Sequence, residues 1–140
     1  MPKPIDNTPC HYVRLRRSME NVASFYDSML SPAGVTARQY SLLHAISTHS
    51  GCSIRELGEV TVLDRSTLAR SLKPLISAGL VTDRKDPGTR SSRLVLSEQG
   101  EHTRRQAGRL WLQAQAQYEK TLGSEKLAAL GDALEALQNL

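Results

Sequence analysis

The stretch from Ser53 to Ser97, SIRELGEVTVLDRSTLARSLKPLISAGLVTDRKDPGTRSSRLVLS, leaves this chain few folds to choose from. Ser53 followed by Glu56 fits a capping box, which predicts a helix opening at Ile54. Ile54, Leu57 and Val60 supply its apolar face. A tight turn through Thr61 to Leu63 leads to Asp64, a second N-cap candidate, whose carboxylate can accept from free amides of the next helix. That helix places Leu68, Leu72, Leu75 and Ile76 on one stripe at helical spacing. Off the stripe lie Arg65, Ser66, Thr67, Ala69, Arg70 and Lys73, with Ser71 as a further helix-surface hydroxyl. Cations and small hydroxyls on one open face suit a DNA major groove, where Arg bonds guanine bidentately and Ser or Thr meets phosphates or base edges.

Pro74 conflicts locally with this pattern, because it removes the amide that would bond the Arg70 carbonyl. Either the helix ends early or it kinks. The apolar stripe continues through Leu75 and Ile76, which favours a kink, with Arg65 to Lys73 as the groove-entering part.

The segments Leu80–Arg84 and Arg93–Ser97 read as two short strands joined by KDPGTRS, whose Pro87-Gly88 marks a turn. Arg84, Lys85, Arg90 and Arg93 cluster at this loop and its edges. Residues 53–93 hold eight Lys/Arg against five Asp/Glu, while residues 94–140 hold five against six. Most of the chain's net charge of +4 therefore sits where the pattern would put nucleic acid. Arg55, on the preceding helix, joins this set of candidate DNA contacts. The alternative is a basic helical hairpin with an ordinary solvated face.

Helical patterns flank this unit. His11–Leu30 places Leu15, Met19, Val22, Tyr26, Met29 and Leu30 on one side. Thr36 with Gln39 forms another capping-box pair, opening a helix to about His49 with Tyr40, Leu43, Ile46 and Ser47 on one stripe. Glu98 to Leu122 lines up Ala107, Leu110, Trp111, Ala114, Tyr118 and Leu122. Gly123-Ser124 breaks the chain, with Ser124 as the expected cap. The last helix then spaces Leu127, Leu130, Leu134 and Leu137 by threes and fours, as a helix–helix seam requires. That seam serves either a second copy or, in a monomer, the chain's own long helix.

At 140 residues the expectation is one domain with a modest core. Only 39% of residues are hydrophobic and 4% aromatic, which favours support from a second copy. No apolar run approaches the ~20 residues needed to span a bilayer, so no membrane partner is expected. The opening MPKPIDNTPCH lacks an apolar signal core, which argues against secretion. Two cysteines, Cys10 and Cys52, are too few for a disulfide framework and fit a reducing cytoplasm. The four histidines, His11, His44, His49 and His102, show no metal-ligand spacing, and no CxxC occurs. Neither an enzyme nor a metal or cofactor site is expected.

With these motifs in place, the chain resembles the MarR family of bacterial transcription regulators. Leu30-Ser31-Pro32-Ala33-Gly34-Val35-Thr36 followed by Gln39 is similar to the family's approach to its second helix. Ile54-Arg55-Glu56-Leu57-Gly58 and Asp64-Arg65-Ser66-Thr67-Leu68-Ala69-Arg70 resemble its helix-turn-helix. Leu75-Ile76-Ser77-Ala78-Gly79-Leu80-Val81 and Leu96-Ser97-Glu98-Gln99-Gly100 bracket its wing. The chain departs from the family at Thr89, where an acidic residue often stands near the wing arginine, and at Ser97, where Thr is usual. Asp86 is the candidate carboxylate partner for Arg90.

The resemblance implies a mainly α fold with a small β-hairpin wing, a winged helix-turn-helix flanked by N- and C-terminal dimerisation helices. Its expected extent is about 36–97 for the DNA-binding part, and about 10–35 and 98–140 for the helices that interlock two subunits. The implied function is a cytoplasmic, homodimeric, sequence-specific repressor on a pseudo-palindromic double-stranded operator, with Arg90 reaching the minor groove or backbone. Activation, or a winged-helix module that binds an acidic protein partner and has no operator, are the alternatives. The resemblance also implies a signal, either a phenolic or other aromatic small ligand or an oxidant, with no physiological signal as the remaining alternative. Cys10, at a helix N-terminus with Arg14 one turn on, is the candidate redox sensor, because free amides and the helix dipole favour a thiolate there. Tyr12, Tyr26, Tyr40, His44 and Trp111 are the candidate effector cleft.

Overall fold

The computed structural model describes residues 10–140. The opening residues 1–9, on which most of the argument against a secretion signal rests, lie outside them. In chain order the elements are α1 (His11–Leu30), a 3-10 turn (Ser31–Ala33), α2 (Ala37–Thr48), α3 (Ile54–Thr61), α4 (Arg65–Ser77), β1 (Val81–Asp83), β2 (Leu94–Leu96), α5 (Glu98–Leu122) and α6 (Ser124–Leu137). This is the expected mainly helical fold with one small hairpin.

Local capping chemistry sets the helix starts. Both expected capping boxes form: the Thr36 and Ser53 hydroxyls accept from the amides of Gln39 and Glu56, and those side chains return the bond. The Asp64 carboxylate accepts the Thr67 amide at 2.9 Å and so opens α4. Ser97 caps α5 through the Gly100 amide. Ser124 does not cap α6. It is the first helical residue, Gly123 occupies the cap position at φ 79°, and no side chain closes that end.

Helix α2 runs through the middle of the core. Leu42, Leu43 and Ile46 are fully enclosed between α1, α3, α4, α5 and β2. Leu57 of α3, Leu68, Leu72 and Leu75 of α4, Val81, Leu94 and Ala107 belong to the same cluster, with Leu30, Val35, Ala45 and Cys52. Each buried aliphatic side chain contributes roughly 1.5–3 kcal/mol over exposure. Two stripe residues depart from the pattern: Val60 and Ile76 are 45% and 42% exposed, because each lies at the margin of its helix's buried face. Leu42 is buried although the expected α2 stripe omitted it.

Helix α4 continues through Pro74 to Ser77 rather than ending before it. Pro74 is exposed, so the Arg70 carbonyl deprived of its partner lies on the side open to water.

The two strands are shorter than expected, with Leu80, Arg84, Arg93 and Ser97 outside them. They pair antiparallel, Val81 opposite Leu96 and Asp83 opposite Leu94. A bridge between Cys52 and Leu94 adds the α2–α3 loop to this sheet, with Gly51 donating to the Leu94 carbonyl and Leu94 to the Cys52 carbonyl, both at 2.8 Å. Hairpin and helix-turn-helix are thereby joined by backbone hydrogen bonds as well as by side-chain packing.

Helix α6 buries none of its residues, and Leu134 and Leu137 remain more than two-fifths exposed. Tyr12, Leu15 and Met19 of α1 and Leu112 of α5 are also exposed, Tyr12 at 73%. Only the later part of the expected α1 face, ending at Leu30, packs inward.

Candidate nucleic-acid interface

Packing of Leu68, Leu72 and Leu75 against the core turns the opposite side of α4 to solvent. Arg65, Arg70 and Lys73 are exposed there. Ser66 and Thr67 are differently placed. Each hydroxyl donates to Asp64 at 2.8 Å; the Thr67 amide first, and then these two hydroxyls, hold that carboxyl down from its ordinary value of 3.8 to about 2. With those protons committed, the two hydroxyls have only acceptor capacity left, suited to a donor such as a cytosine or adenine amino group rather than to a phosphate. Ser71 donates to the Thr67 carbonyl at 2.8 Å and is half-buried, which turns its proton toward its own helix. Arg55 lies on α3 beside Glu59, 3.6 Å away, with both side chains largely in solvent.

The hairpin carries Arg84, Lys85 and Arg90 on an exposed loop. The expected partnership of Asp86 with Arg90 does not form; Asp86 lies 3.6 Å from Arg93 instead. Asp83 organises the loop, a role that sequence reading missed. Its Oδ1 accepts the Lys85 amide at 3.1 Å and the Arg93 amide at 2.8 Å. Such a clamp has no periodic signature, since its two donors lie on opposite stems of the hairpin.

Residues of α1, α2, α5 and the α3–α4 turn line a half-open cavity of about 860 Å³. Of the expected cleft residues, Tyr26, Tyr40, His44 and Trp111 line it, whereas Tyr12 does not. The Tyr40 and Trp111 rings lie 6.0 Å apart, as do those of Tyr40 and His44. Tyr26 donates to Gln115 and meets Phe25 edge-on. Burial pushes both tyrosine phenols above their ordinary value, so both stay protonated donors at neutral pH. Met19, Val22, Arg38, Ser41, Thr61, Leu63 and Gln115 also line the cavity and were not foreseen. They come from four separated segments, and no single-helix pattern groups them.

Cys10 occupies the N-cap position of α1, is exposed and forms no disulfide. It does not line the cavity. Cys52 is buried, and burial pushes its thiol pKa up, which suppresses thiolate. Among the described residues no three His, Cys, Asp or Glu side chains gather as a metal site, and no helix is long and apolar enough to cross a membrane.

A MarR family model matches residues 33–90, which run from the 3-10 turn to the wing tip. The transcriptional regulator PcaV from Streptomyces coelicolor, solved in complex with its natural ligand, is 26% identical over 99% of this chain and 97% of its own, with a TM-score of 0.79. The M. tuberculosis transcriptional regulator MosR, solved in complex with DNA, is 30% identical over 92% of this chain and 98% of its own, with a TM-score of 0.73. A mutant of MarR from E. coli complexed with operator DNA shares the fold at a TM-score of 0.77, with 24% identity over 88% of this chain and 89% of its own. No curated protein sequence matches the chain.

Proposed function

The chain belongs to the MarR family of transcription regulators, and from that premise we propose that it is a homodimeric repressor released from a pseudo-palindromic operator by a small phenolic effector. One observation carries the DNA-binding half of this reading. Arg65, Arg70 and Lys73 of α4 and Arg84, Lys85 and Arg90 of the hairpin loop are all exposed, and backbone bonds tie hairpin and helices together. Arg65 and Arg70 enter the major groove, and Arg90 reaches the backbone or minor groove from the wing tip. MosR, crystallised with DNA, and PcaV, crystallised with its ligand, support both halves by likeness.

The exposed apolar side chains of α1, α5 and α6 favour two copies over one. Tyr12, Leu15, Met19, Leu112, Leu134 and Leu137 find no cover within one chain, and a second copy would bury them. Two equivalent recognition helices would then address half-sites ~10 base pairs apart, centre to centre.

The cavity favours a ligand as the signal. Its aromatic walls suit a ring, while the tyrosine hydroxyls, His44 and Arg38 offer polar contacts to a phenol or its acid. Exposure of Cys10 at a helix N-terminus keeps an oxidant as the second reading.

Selection of bound fragments from the source genome, followed by titration across a salt series, tests the whole. A repressor retains a few tight sites at salt where nonspecific binding has vanished; uniform, salt-sensitive binding would leave only a basic protein-interaction module. Release by 4-hydroxybenzoate identifies the ligand route. Release by stoichiometric peroxide in the wild type, but not in Cys10→Ser, identifies the thiol route.

A further inference from the structure

Val62 is the one non-glycine residue with a positive φ among the described residues, at φ 56° and ψ 36°. The left-handed region is costly for L-residues and worst for β-branched ones, whose Cβ crowds the backbone. Nothing about the side chain compensates, since it is 87% exposed. Its two neighbours, by contrast, are both anchored. Thr61 closes α3, its hydroxyl donating to the Leu57 carbonyl at 2.7 Å, and Leu63 packs on the core. Both neighbours also line the 860 Å³ cavity. The next residue is Asp64, which caps α4.

A strained residue thus sits between two anchored side chains that a cavity ligand would touch, two residues before the cap of α4. We propose that the Thr61–Leu63 turn couples the cavity to α4, and that Val62 sets how readily it lets go. A ligand that displaces Thr61 or Leu63 loosens that anchoring. Val62 then moves to an ordinary backbone region, carrying Asp64 and the first turn of α4 with it. The β-branched side chain biases this equilibrium toward release, because only the anchored turn is strained. Glycine at this position would remove the bias. The inference rests on the effector-released repressor reading above and adds the element that transmits the signal.

The test uses the full-length protein on an operator fragment obtained by genomic selection, with binding followed by fluorescence anisotropy and 4-hydroxybenzoate as the probe. Val62→Gly should raise the concentration needed for half-release about tenfold, the size expected when a left-handed penalty is relieved. Val62→Ile, which keeps the β-branch, should release like wild type. Equal half-release concentrations in wild type and Val62→Gly would overturn the proposal.

If the probe fails to release the wild type, or no operator is found, the functional reading fails rather than the turn. Amide exchange in the free proteins then decides. Exchange at residues 63–68, measured relative to Leu43 in the core, should slow about tenfold in Val62→Gly. Unchanged relative rates would overturn the strained-turn assignment.

Discussion

The carboxylate of Asp83 accepts the backbone amide of Arg93 at 2.8 Å, joining residues ten apart across the mouth of the wing loop. The same oxygen holds the Lys85 amide, so one side chain sets the spacing of both stems. The Asp86–Arg93 pair beside it is exposed at both ends and adds little. Asp83→Ala should cost ~1 kcal/mol or less in global stability, since water can replace an exposed acceptor. Its larger effect should be on operator affinity, a fall of several-fold through loss of loop order. Circular dichroism melts and anisotropy titrations on one preparation separate the two; an unaltered affinity would remove the wing from the interface.

Arg65 and Arg70 should differ from Arg90 in kind. Replacing a base-reading arginine by Ala costs ~1–3 kcal/mol of operator binding and relaxes specificity at that position, whereas losing a phosphate contact lowers the salt slope by about one. Arg65→Ala with Arg70→Ala should flatten discrimination between operator and random DNA. Arg90→Ala should chiefly change the salt dependence. Full operator affinity in the folded double variant would displace α4 from the groove.

Gly100 lies where α5 begins against the end of the α4–β1 connection. A Cβ there would sit 1.9 Å from the Leu80 carbonyl oxygen, and that oxygen already accepts the Ser97 amide at 3.0 Å. Backbone on both sides leaves no flexible group to yield. Gly100→Ala should therefore destabilise by ~1–3 kcal/mol or more despite its better helix propensity. Thermal unfolding checks this, and a melting temperature at or above wild type would contradict the close approach.

Asp64 gives α4 an acid-sensitive start. Its folded-state pKa of about 2 lies below the ordinary 3.8, so its contribution is complete above about pH 4 and disappears as pH falls toward 2. Asp64→Ala should lower the melting temperature at pH 7, and the difference from wild type should shrink across that acid window. A difference independent of pH between 5 and 2 would show that the carboxylate charge is not what matters.

Leu134 and Leu137 should hold two copies together. Carboxylates at both positions would place charges in an apolar interface, and Leu134→Glu with Leu137→Glu should yield monomers by light scattering with the helical content retained. Tight operator binding should disappear with the dimer. A double variant that remains dimeric would exclude the α6 leucines from the interface.

Much of the fold was legible because its signals are local. Thr36–Gln39, Ser53–Glu56 and Asp64 each satisfy amides within three residues, so the polar pattern alone marks where α2, α3 and α4 begin. Periodic leucines mark which side of α4 turns inward, and by exclusion which cations turn out. Where the local rule was ambiguous, the reading slipped. Ser124 beside a glycine resembles a cap, but the glycine takes that position. Ile76 continues a stripe whose edge lies past the packed surface.

The sequence by itself determined the order of elements, the inward face of α4 and the basic character of α4 and the wing, since these depend on neighbours within about two helical turns. Only the tertiary structure decided what meets across long separations. It brought Tyr26, Tyr40, Trp111 and Leu63 to one cavity, turned Asp86 toward Arg93 rather than Arg90, and pressed Gly100 onto Leu80. It also placed Val62 in the left-handed region, which its residue type disfavours. The physical reason is the same throughout: capping and periodicity act along the chain, whereas packing is settled among all elements at once, and it can override a local preference worth only ~1–2 kcal/mol.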